Sequence, residues 1–137
     1  LWQTPPTFNV YTTMLVCEWI EREGGVDEMA ARAEAKSAAV YAAIDASGGW
    51  YETVSRPGND ARSLMNVPFK MNGGDAATTD RFLRAAFGEN IVGLFTKTPF
   101  GDGEFLRASM YNHLGVADAE TLAAFMARFQ RETQAPN

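Results

Sequence analysis

The chain has 137 residues, of which 46% are hydrophobic and 21% charged; this suits one domain around one core and excludes a disordered tract. A net charge of −5 excludes non-specific binding to nucleic acid or to an anionic membrane, since both need a basic face. No apolar run approaches the ~20 residues that cross a bilayer, and a single cysteine, Cys17, excludes an internal disulfide and points to a reducing, cytoplasmic compartment.

The sequence opens Leu1-Trp2-Gln3-Thr4-Pro5-Pro6. It has no initiator Met and no basic signal-peptide region, so it reads as a domain cut from a longer protein. Residues 1–6 are expected to be extended, because a residue before proline is pushed out of the helical region. Thr7 reads as the N-cap of a first helix. Phe8, Tyr11, Leu15 and Trp19 then follow at helical spacing, with Val10, Met14 and Cys17 beside them. That helix is apolar around much of its circumference. It is expected to be well buried, Cys17 included, against this core and against a further domain. Gly24-Gly25 stops it.

A second helix carries Val26, Met29, Ala33, Ser37, Val40 and Ile44 in steps of three and four, with Asp27 and Glu28 where they suit the helix dipole. Ser47-Gly48-Gly49 ends it. Residues 50–54 are a short strand, and residues 55–62 are a loop with the turn chemistry Pro57-Gly58-Asn59-Asp60. Met65, Val67 and Phe69 alternate within a strand over residues 64–70, and Pro68 places that strand at an edge or a bulge. A helix over residues 78–87 carries Phe82, Leu83, Ala86 and Phe87. Residues 91–95 are a short β segment, residues 96–104 a loop, and residues 106–111 a strand. A last helix over residues 118–132 presents Leu122, Phe125, Met126 and Phe129 on one face. The order α-α-β-β-α-β-β-α predicts an α+β fold, with helices on one face of a small, mostly antiparallel sheet.

Composition and motifs carry no chemistry by themselves. One histidine, His113, and one cysteine cannot make a clustered zinc site. There is no nucleophile elbow, no GxGxxG and no phosphate-binding P-loop pattern. The carboxylates are scattered along helices and read as solvated faces. Lys36, Lys70 and Lys97 read as solvated lysines, and His113 as a loop residue.

Three blocks nevertheless resemble the C-terminal part of phosphoserine aminotransferases, pyridoxal-phosphate enzymes of the class V aminotransferase family. They are Thr4-Pro5-Pro6-Thr7-Phe8, continuing through Glu18-Trp19-Ile20 to Gly24-Gly25; Arg62-Ser63 with Met65-Asn66-Val67-Pro68-Phe69; and Leu106-Arg107-Ala108-Ser109-Met110-Tyr111-Asn112. Ile44-Asp45-Ala46-Ser47 and Phe125-Met126…Phe129 match in order and spacing. The resemblance covers nearly the whole chain. It implies that residues 1–137 form the small C-terminal domain of a fold-type I, homodimeric enzyme. Residues 1–24 would then pack on the large domain, which binds most of the pyridoxal phosphate.

The resemblance also implies site residues. The Schiff-base lysine of the family lies upstream of the Thr4–Phe8 block, and Lys36, Lys70 and Lys97 do not match it, so this chain contains no catalytic residue and is expected to be inactive alone. Gln3 and Thr4 occupy the positions from which an Asn-Thr pair reaches the neighbouring subunit's cofactor phosphate. Gln3 departs from the pattern by one methylene, and Thr4 also reads as a plain turn residue. Arg107 matches the arginine that binds the substrate carboxylate, where a planar guanidinium fixes orientation as well as charge; an exposed strand arginine in a surface ion pair is the alternative.

Many family members carry Gly-His-Arg-x-x-Gly-Gly before that arginine. Here the stretch is Thr96-Lys97-Thr98-Pro99-Phe100-Gly101-Asp102-Gly103-Glu104-Phe105, without His or Arg. Lys97 is the expected replacement for the lost charge, with Thr96 and Thr98 as donors, while Asp102 and Glu104 would oppose a phosphate. The implied activity is amino transfer between phosphoserine and 2-oxoglutarate in serine biosynthesis. Two alternatives stay open: a class V aminotransferase with a different oxo-acid, or a non-catalytic binding or assembly domain with this fold.

Overall fold

A computed structural model describes residues 4–54, 62–94 and 105–135. Its elements are α1 (Thr7–Arg22), α2 (Gly25–Asp45), β1 (Tyr51–Glu52), β2 (Asn66–Met71), a 3-10 turn (Asn72–Gly74), α3 (Ala76–Gly88), β3 (Leu106–Ser109) and α4 (Val116–Gln134). The strands form an antiparallel sheet in the order β1-β2-β3. The expected α+β class and the antiparallel sheet are therefore present.

Register decides which face is apolar. Val67 lies opposite Ala108, Phe69 opposite Leu106, and Met71 opposite Tyr51. All six side chains are buried, and because side chains alternate along a strand they share one face. Helices α2 and α3 pack on this face, and α4 packs along α2. Phe82 of α3 sits at the centre, with its ring 5.0 Å from Phe125, 5.1 Å from Phe129 and 6.0 Å from Phe69. These tilted and edge-on arrangements suit the aromatic quadrupole. Tyr51 reaches across the core and donates a hydrogen bond to the Met126 carbonyl at 2.9 Å.

Local chemistry sets the boundaries. Gly24 has φ of 110°, which turns the chain from α1 straight into α2; a Cβ there would also come within 3.0 Å of Glu28 Cβ. Ser47 closes α2, donating to the Ile44 carbonyl at 2.6 Å and accepting from the Tyr51 N–H at 2.9 Å. Asp75 caps α3 by accepting from Thr78 N–H at 2.9 Å. Asp118 accepts from the Gly115 N–H at 2.7 Å at the start of α4.

Several expectations are corrected. Pro6, not Thr7, precedes α1, and the Thr7 hydroxyl donates backwards to the Pro5 carbonyl at 3.3 Å. No residue of α1 is buried, and Cys17 is exposed, because α1 meets chiefly α2 and its apolar circumference exceeds what one neighbour covers. Residues 91–94 form no strand. The Ile91 N–H is taken up by the Ala86 carbonyl at 2.9 Å, closing the end of α3, and Ile91 and Leu94 pack on the core without a ladder partner among the described residues. β3 ends at Ser109 rather than at residue 111.

Pro68 is corrected in part. It lies in the central strand, not an edge strand. The Met110 N–H bonds to the Met65 carbonyl, so alternation turns the Pro68 nitrogen away from β3 and toward the side of β1. Described pairing with β1 stops at Glu52↔Lys70, just short of Pro68. The missing N–H therefore falls where the ladder has ended.

Candidate functional site

The second face of the sheet carries the polar residues. Asn66, Pro68 and Lys70 of β2 alternate with its buried residues, as Arg107 and Ser109 do in β3 and Glu52 does in β1. Arg107 lies directly opposite Pro68 and is half-buried. It is held by its strand rather than by a loop, so its guanidinium is carried on a rigid base. Beside it, the Ser109 hydroxyl donates to Asn66 Oδ1 at 2.9 Å.

Lys70 is on the same face. Its ammonium lies 3.9 Å from the Glu52 carboxylate and 5.6 Å from the centre of the Phe105 ring. The alternation that buries Val67 and Phe69 is the signal that places Lys70 beside Arg107 once β2 and β3 are paired; a lysine at a strand end is otherwise indistinguishable from a solvated one.

Lys36 corrects a sequence expectation outright. It is 1% exposed, not solvated. Its ammonium donates to the carbonyls of Met110, Tyr111 and Leu114 at 3.1, 2.9 and 3.1 Å. The spacing Met29, Ala33, Lys36, Val40, Ile44 puts this lysine in the buried stripe of α2, a signal that the sequence did contain. Burial lowers its pKa first, the nearby Arg32 charge lowers it further, and Asp118 opposes both. The three bonds tie α2 to the segment that leaves β3 just after Arg107.

That segment also walls a cavity of about 500 Å³, lined among others by Ile91, Leu94, Ser109, His113, Asp118 and Leu122. Neither Arg107 nor Lys70 lines it. His113 sits in the turn between β3 and α4 and is exposed. Thr4 is exposed in the non-helical segment leading into α1, so the structure carries Thr4 on a different element from Arg107. Gln3 and Lys97 lie outside the described residues, as does nearly all of the 96–105 stretch. Among the described residues, no group of three or more His, Cys, Asp or Glu is arranged to hold a metal ion, and no helix is long and apolar enough to cross a membrane.

Residues 3–122 match the aminotransferase class-V family. The chain belongs to that family. It is 40% identical over 134 residues to the phosphoserine aminotransferase of Bacillus subtilis, covering 98% of this chain and 35% of that protein. It is 44% identical over 128 residues to the enzyme of the same name from Stenotrophomonas maltophilia, covering 93% of this chain and 34% of that protein. Among solved structures, phosphoserine aminotransferase from Bacillus circulans subsp. alkalophilus superposes with a TM-score of 0.83 at 34% identity, covering 96% of this chain and 35% of that one. A pyridoxal-phosphate-bound phosphoserine aminotransferase from Trichomonas vaginalis superposes with a TM-score of 0.79 at 28% identity, over 92% of this chain and 34% of that one. This class V aminotransferase chain thus spans about a third of the length of the relatives it matches.

Proposed function

We propose that this chain is the small C-terminal domain of a pyridoxal-phosphate-dependent phosphoserine aminotransferase, a cytoplasmic homodimer that exchanges the amino group between phosphoserine and 2-oxoglutarate. The observation that carries the reading is Arg107. It is the one arginine on the polar sheet face, opposite the core face, among the described strands, in a chain 40–44% identical to enzymes of that name.

The roles follow from charge and placement. Arg107 would bind the substrate α-carboxylate through two parallel N–H donors, which fixes the plane of the reacting carbon. Thr4 would donate its exposed hydroxyl to the cofactor phosphate of the neighbouring subunit, with Gln3 beside it; a neutral donor in non-helical chain fits that contact. Pyridoxal phosphate, held mainly by the large domain, supplies the electron sink for amino transfer. Lys36 is committed to three carbonyls and Lys70 lies on the sheet, which supports the expectation that the chain alone does not transaminate. Lys97 would face the substrate phosphate. The exposed side chains of α1, Phe8 at 75% and Val10 at 61% among them, would pack on the large domain together with residues 1–6.

One observation favours a second reading. The stretch at residues 96–105 lacks the His and Arg common in the family, which suits a class V aminotransferase for another oxo-acid. A binding or assembly role would instead use the apolar surface of α1 for a partner. The test is the full-length protein loaded with pyridoxal phosphate and given phosphoserine, serine or alanine as amino donor to 2-oxoglutarate. Preference for phosphoserine supports the first reading. Preference for another donor supports the second, and no transfer from any donor supports the binding role.

A further inference from the structure

The strand that carries Arg107 is short. Its described ladder with β2 runs from Asn66↔Ser109 to Phe69↔Leu106, and one further backbone bond, from the Met110 N–H to the Met65 carbonyl at 2.8 Å, follows it. Beyond that bond the chain turns, with the Leu114 N–H on the Tyr111 carbonyl at 3.0 Å, and enters α4 at Val116. A backbone that leaves a sheet beside a core still has carbonyls to satisfy. Those of Met110, Tyr111 and Leu114 converge on one donor, the Lys36 ammonium. Three protons on one nitrogen match three acceptors, which no neutral side chain of this length offers. The ammonium is buried with its stem; the Arg32 charge opposes it, and Asp118 in the first turn of α4 favours it. One side chain of α2 therefore fixes the exit of β3, the turn after it and the approach to α4.

Resting on the transaminase reading, we infer that Lys36 is a positioning residue for substrate binding: it locks the exit of β3 and, through the backbone, sets where the Arg107 guanidinium meets the substrate carboxylate. Lys36 reaches β3 from α2, on the core side, whereas the Arg107 side chain belongs to the polar face, so Lys36 itself touches no substrate. A displacement of about 1 Å at a substrate-holding group is enough to lower the rate up to roughly a hundredfold.

The test uses the full-length, pyridoxal-phosphate-loaded protein and a double-mutant cycle of Lys36→Met with Arg107→Ala. Lys36→Met alone is expected to lower kcat/KM for phosphoserine and for alanine alike by about tenfold, chiefly through KM, because both share the α-carboxylate. In the Arg107→Ala background the same substitution is expected to change kcat/KM by less than about twofold, since the contact it positions is already gone. Val40→Ala, one turn along the same buried stripe of α2, loosens the helix but leaves the three bonds in place. It is expected to lower the melting temperature without changing KM. Lys36→Gln, whose amide keeps two donors, goes through the same cycle with a smaller loss, so a Lys36→Met protein that fails to fold does not remove the test. Calorimetric binding of phosphoserine gives a readout independent of turnover and should weaken in step with KM. Losses that add in the double variant, a KM rise with Val40→Ala as large as with the Lys36 variants, or unchanged kcat/KM in the folded Lys36 variants would overturn the role of Lys36. A wild-type protein that transfers no amino group would overturn the transaminase reading and this inference with it; additive losses in an active wild type overturn this inference alone.

Discussion

The ammonium of Lys36 lies 2.9 Å from the carbonyl oxygen of Tyr111, so a charge in the middle of α2 anchors the chain where it leaves the strand that carries Arg107. The same ammonium holds Met110 and Leu114. A buried cation with three acceptors is costly to create and more costly to half-remove. Lys36→Met preserves the volume and leaves three carbonyls without their donor. It is expected to destabilise the protein by about 3 kcal/mol or more, read as a lower denaturant midpoint. A loss below about 0.5 kcal/mol would mean that water replaces the ammonium at no cost.

Phe82 is fully buried, and four aromatic rings surround it. Phe82→Ala is expected to cost about 3–5 kcal/mol through lost burial and the cavity left behind. Phe87, five residues further along α3 and 73% exposed, is expected to tolerate alanine within about 0.5 kcal/mol. Thermal melts of the two variants side by side check the contrast.

Burial pushes the phenol of Tyr51 well above its ordinary value. The folded chain then holds this proton at a pH where the unfolded chain has lost it. Stability contributed by Tyr51 is therefore complete below about pH 10, the ordinary phenol value, and is lost progressively as pH rises from there toward the raised value of the folded chain. Tyr51→Phe is expected to cost about 1 kcal/mol at neutral pH, the worth of the hydrogen bond to Met126, and to flatten the decline of the unfolding midpoint on the alkaline side. Tyr41, whose phenol is raised by desolvation despite the nearby Arg62 charge, carries the decline that remains.

The exposed apolar residues of α1 make a prediction that separates this chain from the whole protein. Phe8→Ser combined with Leu15→Ser is expected to shift the melting of the 137-residue chain little, since both side chains are exposed, at 75% and 41%. In the full-length protein the same pair is expected to lower the melting temperature by several degrees, because each buried side chain of this size contributes about 1.5–3 kcal/mol. Equal shifts in both proteins would mean that α1 has no partner there.

The sequence made the core legible where one period dominated. The alternation that includes Val67 and Phe69 and the helical stripe of Leu122, Phe125 and Phe129 both describe the observed burial, whereas Met65, just before β2, is only half-buried. It failed where a long-range partner decides the outcome. Lys36 is buried only because three carbonyls from the far side of the chain converge on it. Ile91 and Leu94 are apolar enough for a strand, yet among the described residues no strand pairs with them. Pro68 suggested an edge, yet its strand is central, paired with β1 on one side and β3 on the other, and proline is tolerated there because described pairing with β1 stops just short of it. Arg107 was singled out for the site by its motif, whereas its position opposite Pro68 on the polar sheet face required the β2–β3 register, which no single segment encodes.

Arg107 can be tested on its own, by steady-state kinetics of phosphoserine and 2-oxoglutarate with the full-length, pyridoxal-phosphate-loaded protein and its Arg107→Ala variant. A bidentate pair between guanidinium and carboxylate predicts a fall in kcat/KM of roughly a hundredfold for phosphoserine, serine and alanine alike, because all three share the α-carboxylate. Unchanged kcat/KM for all three donors would contradict the placement of the substrate carboxylate on Arg107.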